Sequence, residues 1–298
     1  MVSLGFPHPT RRRCPHEVSP LPFAAMNLEP IASLQPSFDP DRRLLMLNLD
    51  HGKANEMGSA ELRVFRSLCN LIETSDEIRC LCTMSERFSA RGKPIFIAGA
   101  NVTERRDWDD NRIKSHVRDQ RALMLRLRRL PVFNIVLSHG VTLGWGTEYL
   151  LTADYSLATS TASFALPETG LGIVPGARGS VELATLVGLG HAMRLGCTGE
   201  AIDATEAARI GLVQEMVADL GAGLARVHAL AELTATRSPT ALAAFKHAAL
   251  DACGETTARR LEIEARAYEA CVEHGDAAVG RASFDRIRKG EPPRWPAR

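Results

Sequence analysis

No stretch of this 298-residue chain approaches the roughly 20 consecutive apolar residues that a membrane-spanning helix needs. Charge of one sign is not in excess either: 36 Lys and Arg against 35 Asp and Glu leave a formal net charge of +1. That balance supplies no global pull toward nucleic acid or an anionic membrane, and neither is expected as a partner. The seven cysteines, at 14, 69, 80, 82, 197, 253 and 271, are odd in number and scattered. Cys80 and Cys82 have no second pair at a zinc-like spacing, and the nine histidines show none, so no metal is expected. Reduced core thiols in a cytoplasmic protein are the reading that follows. The apolar core of a signal peptide is missing from the N-terminus. No internal sequence repeat and no long linker divides the chain.

What is present is an ordinary globular balance, 45% hydrophobic and 24% charged, with length for one large domain or a domain plus a helical annex. Residues 1–40 stand apart. They are rich in proline, carry Arg11, Arg12 and Arg13, and lack periodicity. They are expected to form a disordered tail, or an upstream extension ahead of a true start at Met26. Metal binding by Cys14 and His16 is a remote alternative.

Strands are expected over Arg43–Asp50, Ile78–Met84, Ile95–Ala98, Phe133–Leu137, Tyr155–Ala158 and Ser163–Leu166. Cys80 and Cys82 would then share one face. Helical spacing covers Ser59–Thr74, Ile113–Leu130 and Ser180–Leu186, with a short helix from the glycine turn at 144–146 through Ala153. Beyond Gly199 the expected elements are all helical: Ala204–Ile210, Leu220–Arg237, Pro239–Ala252 and Thr256–His274. The pattern predicts an α/β core over 41–198 and a helical region over 199–298.

Three stretches share one physical character, a strand running into a glycine-containing turn: FIAGANV (96–102), LGWGTE (143–148) and FALPETGLG (164–172). Glycine lets a backbone approach a ligand and turn its N–H outward. A turn that opens a helix adds unpaired N–H groups at the positive end of a dipole. Two such turns facing each other make a hole for a developing oxyanion. The second and third stretches also carry Glu148 and Glu168, and two carboxylates in one pocket can differ enough in pKa to act as acid and base.

In this order the stretches resemble the enoyl-CoA hydratase (crotonase) superfamily. Ala98-Gly99-Ala100-Asn101 stands for the family's A-G-A-D, and Gly144-Trp145-Gly146-Thr147-Glu148 for its glycine turn leading to Glu. Pro167-Glu168, Leu171-Gly172 and Pro175-Gly176-Ala177-Arg178-Gly179 stand for its third motif, and the two glutamates keep the hydratase separation. The resemblance covers roughly residues 40 to 298. It implies a ClpP-like spiral of ββα units with C-terminal helices that build trimers or dimers of trimers.

It implies no separate cofactor: coenzyme A enters as part of an acyl-CoA thioester substrate. The thioester oxygen would accept from the N–H groups of Ala100 and Trp145, each such donor being worth ~3 kcal/mol. Glu168 would handle the C2 proton and Glu148 the water. Ala98, Gly99, Asn101, Gly144, Pro167 and Gly172 are expected to line the substrate site. Lys53 and Ala54, in a loop that matches the family's early K-A-N, are expected to meet the nucleotide end of coenzyme A. Arg288 and Lys289, in a segment that resembles the family's basic C-terminal one, are candidates to reach its phosphates, in some members across a subunit interface, with a basic helix end favoured by the dipole as the alternative.

Keeping both glutamates points to hydration or dehydration. Isomerisation or decarboxylation of a thioester is the alternative, and a non-catalytic scaffold or RNA-binding protein, using the arginines of 112–129, a more distant one. Departures from the pattern are Trp145, whose indole either walls the acyl pocket or packs in the core, Asn101 for Asp, Arg178 where glycine is common, and the apolar Leu166 before Pro167.

Overall fold

The computed structural model describes residues 26–298, so most of the expected tail, with Cys14 and His16, lies outside the described residues. Order begins earlier than residue 41. Glu29–Leu34 form a 3-10 turn that buries Ile31 and Leu34, and Pro36–Asp39 form an edge strand, β1. Two prolines of this segment sit where proline costs little: Pro30 in the first turn of a helix, Pro36 at the first residue of an edge strand.

The chain continues through β2 (Leu44–Asn48), α1 (Ser59–Thr74), β3 (Cys80–Met84), β4 (Ile95–Ile97), α2 (Asp110–Arg128), β5 (Phe133–Ser138), β6 (Val141–Leu143) and α3 (Trp145–Leu150). It then forms β7 (Tyr155–Thr159), β8 (Ser163–Ala165), α4 (Gly179–Val187), α5 (Leu189–Thr198), β9 (Ile202–Asp203), α6 (Ala204–Arg209) and β10 (Glu215–Val217). The last helices are α7 (Leu220–Ala235), α8 (Pro239–Asp251), α9 (Thr257–Glu273), α10 (Asp276–Ala282) and α11 (Phe284–Arg288). None of the described helices is long and apolar enough to cross a membrane.

Two sheets result. One has the order β1-β2-β3-β5-β7-β10, the other β4-β6-β8-β9. Only the β1–β2 and β8–β9 pairs are antiparallel. Each turn of the chain lays one strand in the first sheet and the next in the second, β3 then β4, β5 then β6, β7 then β8, with a helix or helical turn following. This is the expected ββα spiral, a structural repeat with no matching sequence repeat.

β6 and β9 were not expected, since three and two residues are too few to show a period. The expected core boundary at 198 also moves: β9 and β10 complete the two sheets beyond it, and α7 packs on the larger one.

Alternation in β2, β3, β5 and β7 divides the interior. One set of side chains, with Cys80 and Cys82 on the same face as expected, packs under Val227 and Ala231 of α7. The other set meets α1, whose Leu62, Phe65, Leu68 and Ile72 join the main core beneath the glycine turns. α8 is tied to this body through buried Lys246, whose Nζ lies 2.7 Å from Asp154 Oδ2.

Candidate active site

β4 is followed by Ala98, whose N–H donates to Ala54 O at 3.0 Å. Met57 N–H donates to Gly99 O and Asn101 N–H to Met57 O, so residue 100 is flanked by a parallel bridge and its own N–H points away from residue 57. The 54–57 loop is held by Asn55, fully buried, whose Nδ2 lies within hydrogen-bond distance of Leu49 O, Ser85 Oγ and Phe96 O. The K-A-N segment therefore braces the strand end. Lys53 itself is exposed and away from the cavity that the turns enclose.

β6 runs into Gly144, which has a positive φ of +51. Its N–H donates to Ala165 O at 2.9 Å, and a Cβ here would lie 2.7 Å from Glu168 Oε1. Glycine is thus required twice, by conformation and by space. Trp145 opens α3, so its N–H has no acceptor within the helix. Its indole packs inward, 5.4 Å from the Tyr149 ring and stacked on it, and 6.2 Å from Phe65. Of the two readings of this residue, core packing holds for the ring, although the residue borders the cavity.

One turn on, Glu148 is 4% exposed, and its Oε1 accepts from Ala177 N–H at 2.7 Å and Gly179 N–H at 2.9 Å. Burial pushes its carboxyl up to about 7; those two bonds pull it down, and the charge of Glu168 pushes it up further. Gly179 leaves room for this contact, since a Cβ there would lie 2.8 Å from the same oxygen.

Glu168 lies in a 3-10 turn, Pro167–Leu171, and its Oε2 is buried with no partner. Burial raises its pKa as well. Leu166 is buried in the core rather than lining the site.

The cavity between these turns and α2 encloses about 770 Å³. It gathers Ala98, Gly99, Ala100, Gly144, Trp145, Glu148, Pro167 and Glu168, as expected, with Val102, Ile113, Val117, Leu171, Ile173 and Val174 as an apolar wall. Six expected site residues do not border it. Lys53 and Ala54 belong to the bracing loop, and Asn101 Oδ1 accepts from Thr103 Oγ1 and Glu104 N–H at the start of the 3-10 turn Thr103–Arg105. Gly172 ends the Pro167–Leu171 turn at φ +74, so its glycine serves the backbone. Arg288 and Lys289 are exposed at the end of α11, Arg288 lying over the Phe284 ring. A short basic segment reads the same whether it faces a phosphate or caps a helix.

The sequence reading missed Ala177 and Gly179 as holders of Glu148; the second glycine of P-G-x-x-G was their signal. It also missed Arg105, Lys114 and Gln120, which border the cavity and which no motif marks. Arg178 is the N-cap of α4 at φ +83, a conformation glycine adopts freely, and its guanidinium pairs with Glu182, not with the cavity. Four of the six arginines of α2 and its end bond within the chain: Arg121 to Gly176 O, Arg126 to Glu73, Arg128 to Ala153 O and Arg129 to Asp251.

The model of the enoyl-CoA hydratase/isomerase family matches residues 89–294. The "Enoyl-CoA isomerase/hydratase fer4" of Mycosarcoma maydis is 32% identical over 197 residues, covering 66% of this chain and 72% of that protein. The mouse "Enoyl-CoA hydratase domain-containing protein 2, mitochondrial" is 32% identical over 200 residues, covering 66% and 68%. The crystal structure of an enoyl-CoA hydratase from Bacillus anthracis superposes with a TM-score of 0.77 at 28% identity, covering 87% of this chain and 98% of that one.

Proposed function

The chain belongs to the enoyl-CoA hydratase/isomerase family, and from that premise we propose that it adds water to, or removes it from, the C2–C3 bond of an acyl-CoA thioester. The observation that carries this reading is the pair Glu148 and Glu168 on one cavity, beside two turns with N–H groups turned out of their own ladders. The thioester oxygen accepts from Ala100 and Trp145, and negative charge that builds on it in the transition state meets donors already in place. Coenzyme A enters only as part of the substrate.

Glu148 is held by two backbone donors and its carboxyl is pushed up to about 7 by burial, which suits a group that takes a proton from water and returns it. Glu168, with one oxygen free of protein partners, serves the proton at C2. A cytoplasmic setting goes with this reading and is supported by the unpaired thiols of Cys69, Cys80 and Cys82. The exposed Phe245, Leu261 and Tyr268 on α8 and α9 support assembly as a trimer or dimer of trimers, which light scattering tests.

The test is the loss of enoyl-thioester absorbance with crotonyl-CoA and longer 2-enoyl-CoAs, beside a Glu148→Gln, Glu168→Gln double variant. Loss with the wild type alone supports hydration. Migration of the double bond without incorporation of labelled water would replace it with isomerisation, the other activity in the name of the Mycosarcoma relative.

A further inference from the structure

The cavity holds a cation that the hydration chemistry does not use. Arg105 ends the 3-10 turn Thr103–Arg105, whose Glu104 N–H donates to Asn101 Oδ1, and borders the cavity with Ala100 and Val102. Its Nε and Nη2 are buried and have no hydrogen-bond partner. A guanidinium is charged and carries five donors, so burying two of its three nitrogens without acceptors is costly unless something else supplies them.

The two carboxylates nearest in charge terms are already engaged. Glu104 accepts from Ser59 N–H and Ser59 Oγ, where it caps α1. Glu148 accepts from Ala177 and Gly179. Neither is hydrogen-bonded to Arg105.

The rest of the wall has the same sign. Lys114, Arg118 and Arg121 lie on one face of α2 and all border the cavity, with Arg121 donating to Gly176 O. Against them stand Glu56, which is exposed, and the reacting pair, whose burial disfavours their charge. An acyl chain ending in a methyl group would leave the Arg105 donors unmet. A chain ending in a carboxylate would supply acceptors to a guanidinium that turns into the cavity.

We propose that Arg105 binds a carboxylate carried by the acyl chain, so that the substrate is the monothioester of an unsaturated dicarboxylic acid. This rests on the reading of the cavity as an acyl-CoA site. Arg105 is then a specificity residue and takes no part in the addition of water.

The experiment compares crotonyl-CoA and longer 2-enoyl-CoAs, each with its ω-carboxylated counterpart, in wild type, Arg105→Gln and Arg105→Lys. In parallel, calorimetry measures binding of the saturated pair butyryl-CoA and glutaryl-CoA, which needs no chemistry. The expected result is a preference for the carboxylated member of about ten- to a hundredfold in kcat/KM or in Kd. Arg105→Gln is expected to remove most of that ratio, and Arg105→Lys to keep part of it.

A wild type without the preference overturns the proposal. So does an Arg105→Gln variant that weakens both members equally, because Arg105 would then serve the coenzyme or Glu148; in both cases the hydratase reading stands. Preferential binding of glutaryl-CoA without turnover supports the proposal while hydration falls. Binding of neither saturated thioester overturns both. If Arg105→Gln does not fold, the wild-type ratio and the lysine variant decide.

Discussion

Replacing Glu148 with glutamine removes a buried titratable group while keeping the oxygen that accepts from Ala177 and Gly179. In the folded protein this carboxyl is pushed from its ordinary 4.5 to about 7, mainly by burial. The folded state therefore holds a proton that the unfolded chain releases across that window. Its contribution is fully present below 4.5 and is lost as pH rises through about 7. The interval corresponds to about 3 kcal/mol. Glutamine does not titrate, so the stability of Glu148→Gln relative to wild type should rise by about 3 kcal/mol between about pH 4 and about pH 8. Glu168 is present in both proteins and largely cancels from the comparison. Urea unfolding of both proteins across this range, with the slope m checked for constancy, reads the difference. A difference that stays flat with pH would refute the reasoning, since it would mean that Glu148 ionises in the folded protein as it does in water.

Gly144→Ala should cut turnover by about a hundredfold or more with a smaller loss of stability, about 1–3 kcal/mol from the positive-φ backbone, because its Cβ would displace the Glu168 carboxylate; steady-state kinetics and urea unfolding separate the two. Trp145→Gly should act on the fold before it widens any acyl pocket, costing about 3–5 kcal/mol in urea unfolding, because the indole is a core side chain. Arg178→Gly should stabilise by about 1 kcal/mol by the same measurement, since relief at φ +83 outweighs a partly exposed ion pair with Glu182.

Helix α1 was legible to the residue because its apolar face repeats over four turns and nothing in it conflicts with that period. β6 was not, because three residues carry no period and its pairing with Ser163–Ala165 is set by the spiral and not by local preference. The same division runs through the site. Glu148, Glu168 and the two turns were legible because each lies on a short local motif. Arg105 was not, because its meaning comes from acceptors that are engaged elsewhere, Glu104 by Ser59 and Glu148 by Gly179, and a one-dimensional reading shows no such commitments. Arg288 and Lys289 show the opposite case, residues marked by a motif that do not border the cavity of their own chain. A basic helix end has the same appearance wherever the helix is placed, and α11 is placed away from the cavity.

The tryptophan inside the glycine turn follows from the length of the helix it opens. α3 has six residues, too few to be stable by its own hydrogen bonds, yet it must hold a carboxylate to within a fraction of an ångström. Two anchors substitute for length. One is the pair of N–H groups from residues 177 and 179, which grip Glu148 from outside the helix. The other is an i, i+4 pair on the inner face, Trp145 stacked on Tyr149, with the tyrosine hydroxyl 2.8 Å from Thr83 Oγ1 on β3 and Phe65 of α1 packed on both rings. The backbone N–H at 145 is indifferent to the side chain it belongs to, so the position can carry an oxyanion donor and a core anchor together. The glycines on either side are fixed by contacts that the tryptophan does not share. Gly144 must clear Glu168, and a Cβ at Gly146 would lie 2.3 Å from Ile97 O. Position 145 is therefore the one place in this turn where a large side chain fits, and the core beneath it makes a large side chain useful.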